Sequence, residues 1–184
     1  MIKPRVVLLS CGEAVYPGDF FTREQNEFID GLKKLDVEIA QKFLIIDEDS
    51  ASKTAREVNL KGVDLIIVHF ISWHITPYVM SSLKEAKDIP ILAYSAGGRT
   101  DANGKLHSPA GPAAITAFLP VLKAMGYKYK AVYQRPDGVC DFAEIERYAR
   151  VAATYHKLKN SRAGFIGYAD MGLYTCAYCT SAKY

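Results

Sequence analysis

Short apolar runs alternate along the chain with longer amphipathic stretches. Strand periodicity followed by helix periodicity, repeated, predicts parallel strands joined by crossover helices. Arg5–Ser10 (RVVLLS) is the first strand. A helix is expected from about Thr22, with Thr22 and Gln25 spaced as a capping box and an apolar stripe of Phe28, Ile29, Leu32 and Leu35. A second strand lies between Val37 and Ile46 and ends at Asp47; a more polar helix is expected over about Ala51–Lys61. DLIIVHF is a third strand, continuously apolar as a central parallel strand is. Thr76 and Pro77 read as the N-cap and first-turn proline of the next helix. PILAYS and KAVYQ are the fourth and fifth strands, on either side of a helix from Gly111–Pro112 to Met125–Gly126, where Gly126 suits a left-handed C-terminal cap. Asp141 and Glu144 form a capping box for the longest helix, whose expected buried line is Phe142, Ile145, Ala149, Ala152 and Leu158. AGFIGY, Ala163 to Tyr168, is the sixth strand. The predicted fold is one three-layer α/β domain over residues 1–184. Its doubly wound sheet has about six mostly parallel strands with helices on both faces, flavodoxin-like or Rossmann-like.

The bulk numbers narrow the partners. With 184 residues the chain is long enough to bury a core, and 49% hydrophobic with 23% charged residues is ordinary for a globular protein. The 23 basic and 20 acidic residues are spread along the chain without a basic block, so no nucleic-acid backbone is expected as a partner. No apolar run approaches the roughly 18 residues that cross a bilayer, and no signal peptide opens the chain. No membrane association and a cytoplasmic location are the expectations. Cys11, Cys140, Cys176 and Cys179 then read as free thiols; Cys176 and Cys179 have CxxC spacing but lack the second pair that a structural zinc needs.

Ligands of doubly wound sheets bind beyond the carboxyl ends of the strands. After the first strand, SCGEAVYPGDF carries neither GxGxxG nor a P-loop. After the third, HFISWHIT gathers His69, Trp73 and His74. Trp73 offers a broad apolar face and one N–H for stacking or for a subunit contact. His74 is the better-placed ligand contact, and His69, at the strand end, reads as a structural histidine. Tyr94 to Pro112 spans nineteen residues, more than a simple connection needs. Within it Gly97 and Gly98 permit close backbone approach and Arg99 suits a carboxylate or phosphate, while Asp101–Lys105 looks like the turn tip of a hairpin-like flap. Gly111 opens a helix whose N–H groups favour oxygen ligands. YQRPDG and YADMGLYT complete the rim. It holds no paired carboxylates at helical spacing, no HExxH and no nucleophile elbow. The residues alone describe a small-molecule-facing domain without its own catalytic machinery.

RAGFIGYADMGLYT, GKLHSPAGPAAITAFLPVLKAMGY and Trp73 after the third strand together resemble the N-terminal domain of the L-fucose/L-arabinose isomerase-like family, the metal-dependent aldose–ketose isomerases of carbohydrate metabolism. The resemblance spans essentially the whole chain, with a departure at Cys179, where family members often carry an acidic residue. It implies that the chain is the first domain of a longer multidomain isomerase and recognises a sugar substrate. It also implies contacts with the remaining isomerase domains and with neighbouring subunits of a homo-oligomer. No catalytic residue and no metal ligand would lie in this chain; manganese, or a similar divalent metal, would be held by the later domains. The implied substrate-binding residues are Trp73, His74, Arg99, Gly111 and Tyr174. Two other classes stand beside this one. A stand-alone sugar or small-molecule binding module, like one lobe of a periplasmic-type sensor, leaves half a cleft. A flavodoxin-like electron carrier needs a phosphate loop rich in Ser and Thr, in which SCGEAVYPGDF is poor.

Overall fold

The computed structural model describes residues 3–16, 18–100, 106–134 and 140–162. Its elements in chain order are β1 (Arg5–Cys11), α1 (Gly18–Leu32), β2 (Glu38–Ile45), α2 (Glu48–Glu57), β3 (Leu65–Phe70), α3 (Thr76–Leu83), β4 (Ile91–Ser95), β5 (Arg99–Thr100), β6 (Leu106–His107), α4 (Gly111–Ala124), β7 (Tyr129–Tyr133) and α5 (Phe142–Lys159). Five strands form one sheet in the order β2-β1-β3-β4-β7, every neighbouring pair parallel. The doubly wound α/β fold expected from the apolar pattern is the fold observed. Residues 163–184, and with them the expected sixth strand, lie outside the described residues.

Strand alternation explains the three layers. Successive side chains point to opposite faces, and the central strands β3 and β4 are buried at every residue. Val7, Leu9, Ile66, Val68, Ile91 and Ala93 meet Ala51 of α2, Val79 and Leu83 of α3, and Ile115, Phe118 and Leu122 of α4. On the other face Val6, Leu8, Leu65, Ile67, Leu92 and Val132 meet Phe28, Ile29 and Leu32 of α1 and Ile145, Ala149 and Ala152 of α5. Helices therefore cover both faces, and apolar burial at roughly 25 cal/mol per Å² on each side is the main force holding them there.

Several helix ends differ from the expectation, each for a local reason. α1 starts at Gly18, a turn before Thr22, and Gln25 makes no capping box. Its amide reaches across to the carbonyl of Phe43 on β2, 2.9 Å away. α2 starts at Glu48 rather than Ala51. The Asp47 carboxylate accepts from the Ser50 N–H at 2.8 Å, while the Ser50 hydroxyl accepts from the Asp47 N–H at 3.0 Å. Thr76 is the first residue of α3 rather than its cap; Ile75 holds the cap position without a side-chain bond, and Pro77 sits in the first turn as expected. Asp141 caps α5 by accepting from the Glu144 N–H. Leu158, expected on the buried line of α5, is 70% exposed, because it lies about half a turn from Ala149 and so on the opposite face of the helix.

The long segment between β4 and α4 is partly ordered by β5 and β6, an antiparallel pair of two residues each. They flank the Asp101–Lys105 tip, which is itself outside the described residues.

Candidate functional site

In the order β2-β1-β3-β4-β7 the chain leaves β1 toward one sheet edge and returns at β3 toward the other. The carboxyl ends of β1 and β3 are therefore the topological switch point, where open α/β sheets take their ligands. β1 ends at Cys11 and β3 at Phe70, adjacent and in register. The segments that follow them, Gly12–Tyr16 and Ile71–Ile75, form the two sides of the candidate site.

Side-chain to backbone hydrogen bonds lock these segments together. The Glu13 N–H donates to the Ser72 hydroxyl at 3.0 Å, and Ser72 in turn donates to the Trp73 carbonyl at 3.0 Å. His74 Nδ1 lies 2.9 Å from the Gly12 carbonyl oxygen. A carbonyl only accepts, so Nδ1 carries the proton and Nε2 is the bare nitrogen. Nε2 is buried and has no partner among the described residues. Burial lowers the affinity of His74 for a second proton, against a smaller opposing effect of the Gly12 bond. The ring is thus a neutral, oriented strut.

The rim continues beyond the switch point. The Trp73 N–H donates to the Pro109 carbonyl at 2.7 Å, tying the β3–α3 segment to the approach to α4. The Gly97 N–H donates to the side-chain oxygen of Gln134 at 2.6 Å, and the Gln134 N–H returns to the Ser95 carbonyl at 3.0 Å. Gly111 fits α4 onto the sheet ends. A Cβ there would lie 2.2 Å from the Ser95 hydroxyl and 2.7 Å from the Phe70 carbonyl oxygen. Ala110 before it holds the left-handed conformation, φ 63°, and gives α4 no side-chain cap.

The residues singled out in the sequence are placed as follows. Trp73 stands 41% exposed on the rim, whereas His74 beside it is 2% exposed and faces inward to Gly12. Arg99 lies on β5, and Gly111 opens α4. Tyr174, like Cys176 and Cys179, lies outside the described residues. His69 is buried on the α1 face between Phe28 and Tyr94, with ring centroids 4.3 and 5.4 Å away. Burial pushes its pKa down to about 3. It is structural, as expected, although its Nδ1 has no partner among the described residues. Sequence reasoning missed Glu13, Ser72 and Gln134. Their neighbours in the rim are 59 and 37 residues away, so no local spacing marks them.

A separate groove of about 660 Å³ runs along the outer face of α5, lined by Val151, Tyr155 and Leu158 among others. Among the described residues only α5 lines it, and it is not part of the rim. Among the described residues no group of three or more His, Cys, Asp or Glu side chains is arranged to hold a metal ion.

No protein-family model matches the chain, and no curated protein matches it. Among solved structures it is similar to an FMN-dependent NADH-azoreductase from Bacillus anthracis str. Ames Ancestor, in complex with FMN. The identity is 10% over 85% of this chain and 100% of that one, with a TM-score of 0.35. FMN and the azoreductase activity are properties of that protein, and a likeness of this depth carries no argument about ligand or reaction.

These findings correct the expectation drawn from the resemblance. The L-fucose/L-arabinose isomerase-like family has no support among them: no family model and no curated protein matches the chain, and the solved structure named above is described as an azoreductase. The reading as the substrate-recognition and oligomer-contact domain of an aldose–ketose isomerase falls with it, as do the place in carbohydrate metabolism and the implied manganese.

The flavodoxin-like strand order associates this position with FMN, so the fit of the residues to that group is a fair question. From Gly12 to Phe21 no Ser or Thr is present, whereas Glu13 stands in the first segment and Asp19 in the first turn of α1. Carboxylates without hydroxyl donors oppose a phosphate there. The segment does not fit the phosphate end of FMN.

Proposed function

We propose that this domain binds an uncharged small molecule bearing hydrogen-bond donors over the β1/β3 switch point. The observation that carries the reading is the hydrogen-bonded rim itself, Gly12 to His74, Glu13 to Ser72, Trp73 to Pro109 and Gly97 to Gln134. A rim held in one shape before any ligand arrives lowers the ordering cost of binding. Trp73 supplies an apolar face with an N–H, and Glu13 accepts from donors and repels phosphate.

Calorimetric titration with riboflavin and with FMN tests this, because the two differ by one phosphate group. The chain's single tryptophan reports location through its emission. Binding of riboflavin tighter than FMN, with a change in Trp73 emission and weaker calorimetric binding in Trp73→Ala, is the expected result. FMN binding the tighter of the two, or no response to either at millimolar concentration, sinks the reading.

Among the described residues no helix is long and apolar enough to cross a membrane. A cytoplasmic location is proposed in addition, supported by the free thiols of Cys11 and Cys140.

A further inference from the structure

Two polar side chains are buried side by side under α1. Ser10 and His69 are partners in the parallel ladder of β1 and β3, with their backbones about 4.8 Å apart. Each follows by two residues a side chain packed on the α1 face, Leu8 on β1 and Ile67 on β3, so strand alternation points both toward that face. Ser10 is wholly buried and His69 is 3% exposed. Neither Ser10 Oγ nor His69 Nδ1 has a hydrogen-bond partner among the described residues. We propose that these two atoms share one bound water molecule, which bridges β1 to β3 beneath α1.

The row in which they stand shows why a third group is needed. Across the sheet the ladder sets Leu44, Ser10, His69, Tyr94 and Val132 in line. Stacking fixes the His69 ring, whose centroid is 4.3 Å from that of Phe28 and 5.4 Å from that of Tyr94. Held there, Nδ1 makes no bond to the short Ser10 side chain. Ser10 is also the smallest member of the row, and it fills less of the space under α1 than Leu8 does two residues earlier. The chemistry then selects the ligand. An apolar group would satisfy neither atom, and a buried donor or acceptor left unmatched costs more than an ordinary hydrogen bond contributes. An ion would lose its hydration beside Leu8 and Phe28 without gaining an opposite charge from either side chain, because burial keeps His69 neutral. Water both donates and accepts, so it matches the Ser10 hydroxyl and Nδ1 in either imidazole tautomer. Ser10 and His69 each stand one residue before the last of their strand. Just beyond those ends the Glu13 N–H donates to Ser72 and joins the same two chain segments. The water adds a second tie on the inner side of the switch point, whatever ligand the rim takes.

High-resolution crystal structures of the full chain, unmodified and as Ser10→Ala, test this. The unmodified chain is expected to show one density peak within hydrogen-bond distance of both Ser10 Oγ and His69 Nδ1. In Ser10→Ala the His69 ring should stay in its stack while the peak weakens or vanishes, since the water has lost one of its two anchors. Oxygen-17 relaxation dispersion reads the same site in solution, where the variant is expected to hold one long-lived water fewer. Ser10→Ala removes a single oxygen and adds no volume, so the fold should be kept. The unmodified chain alone can overturn the proposal, by showing no peak between the two atoms or a direct hydrogen bond from Ser10 to His69. So can a peak, or a count of long-lived waters, that Ser10→Ala leaves unchanged.

Discussion

At the scale of single residues, Gly111 decides whether α4 seats on the sheet. A methyl group there meets the Ser95 hydroxyl at 2.2 Å and, less yieldingly, the Phe70 backbone carbonyl at 2.7 Å. Gly111→Ala should therefore lower stability by about 1–3 kcal/mol, the usual range for overpacking. Urea denaturation measures it, and an unchanged midpoint would mean that α4 shifts freely. Tyr127 is a second such residue, its hydroxyl donating at 2.9 Å to the buried carbonyl of Leu83 at the end of α3. Tyr127→Phe keeps the ring and removes the bond, so a loss of about 1 kcal/mol is expected by the same measurement. The composition of GPAAITAF foretells a helix start at Gly111, but not why that glycine is needed. The reason lies in strand ends 16 and 41 residues earlier in the chain, at Ser95 and Phe70.

At the scale of elements, local chemistry was readable wherever the partners are close in sequence. Asp141 caps α5 as its spacing to Glu144 implies, and Gly126 takes the left-handed conformation after α4, φ 76°. Gln25 shows the limit. Its spacing to Thr22 imitates a capping box, yet α1 already begins at Gly18, so Thr22 is helix interior, and the Gln25 amide instead donates to the Phe43 carbonyl on β2. Asp47 is the cap that the apolar pattern concealed, because α2 opens with polar residues and the hydrophobic stripe begins only later. Asp47→Ala should cost about 1 kcal/mol. Hydrogen bonds from Ser50, chiefly from its side chain, hold the Asp47 carboxyl below its ordinary range. That contribution is present above the unfolded carboxylate pKa and is lost as pH falls through the lower folded value. The Asp47→Ala deficit should accordingly be full at neutral pH and shrink in acid. A deficit that stays constant down to pH 2, with pH 2 taken as about the lower limit for a hydrogen-bonded carboxylate, would show that the carboxylate is not the capping group.

At the scale of the whole molecule, acid should act through the buried histidines. Burial lowers the pKa of His69 to about 3, and that of His74 in the same direction. Unfolded histidine titrates near 6.5. Below that value the unfolded chain takes up a proton that the folded chain refuses, so stability falls as pH drops from about 6.5 toward the folded pKa. Between pH 7 and 5 His69 alone should remove about 2 kcal/mol. His69→Phe, set in the same aromatic stack with Phe28 and Tyr94, should lessen the pH dependence by that amount in parallel urea titrations. Equal slopes for the two proteins would show that His69 protonates in the folded state.

By itself the sequence determined the layered fold. The continuous apolar runs of β3 and β4 and the stripes of α1 and α4 are local patterns, and burial acts on each of them directly. It also determined that the strand-end segments carry Trp73, His74 and Gly111. Only the tertiary structure decided what these residues do, because the hydrogen bonds that organise the rim join residues far apart in the chain. His74 looked like a ligand contact in sequence; folded, it is a buried strut holding Gly12. Leu158, by contrast, was misplaced at the sequence level itself: it sits about half a turn from Ala149 and is exposed. Helical spacing fixes which residues share a face, while what packs against that face is set by elements distant in the chain.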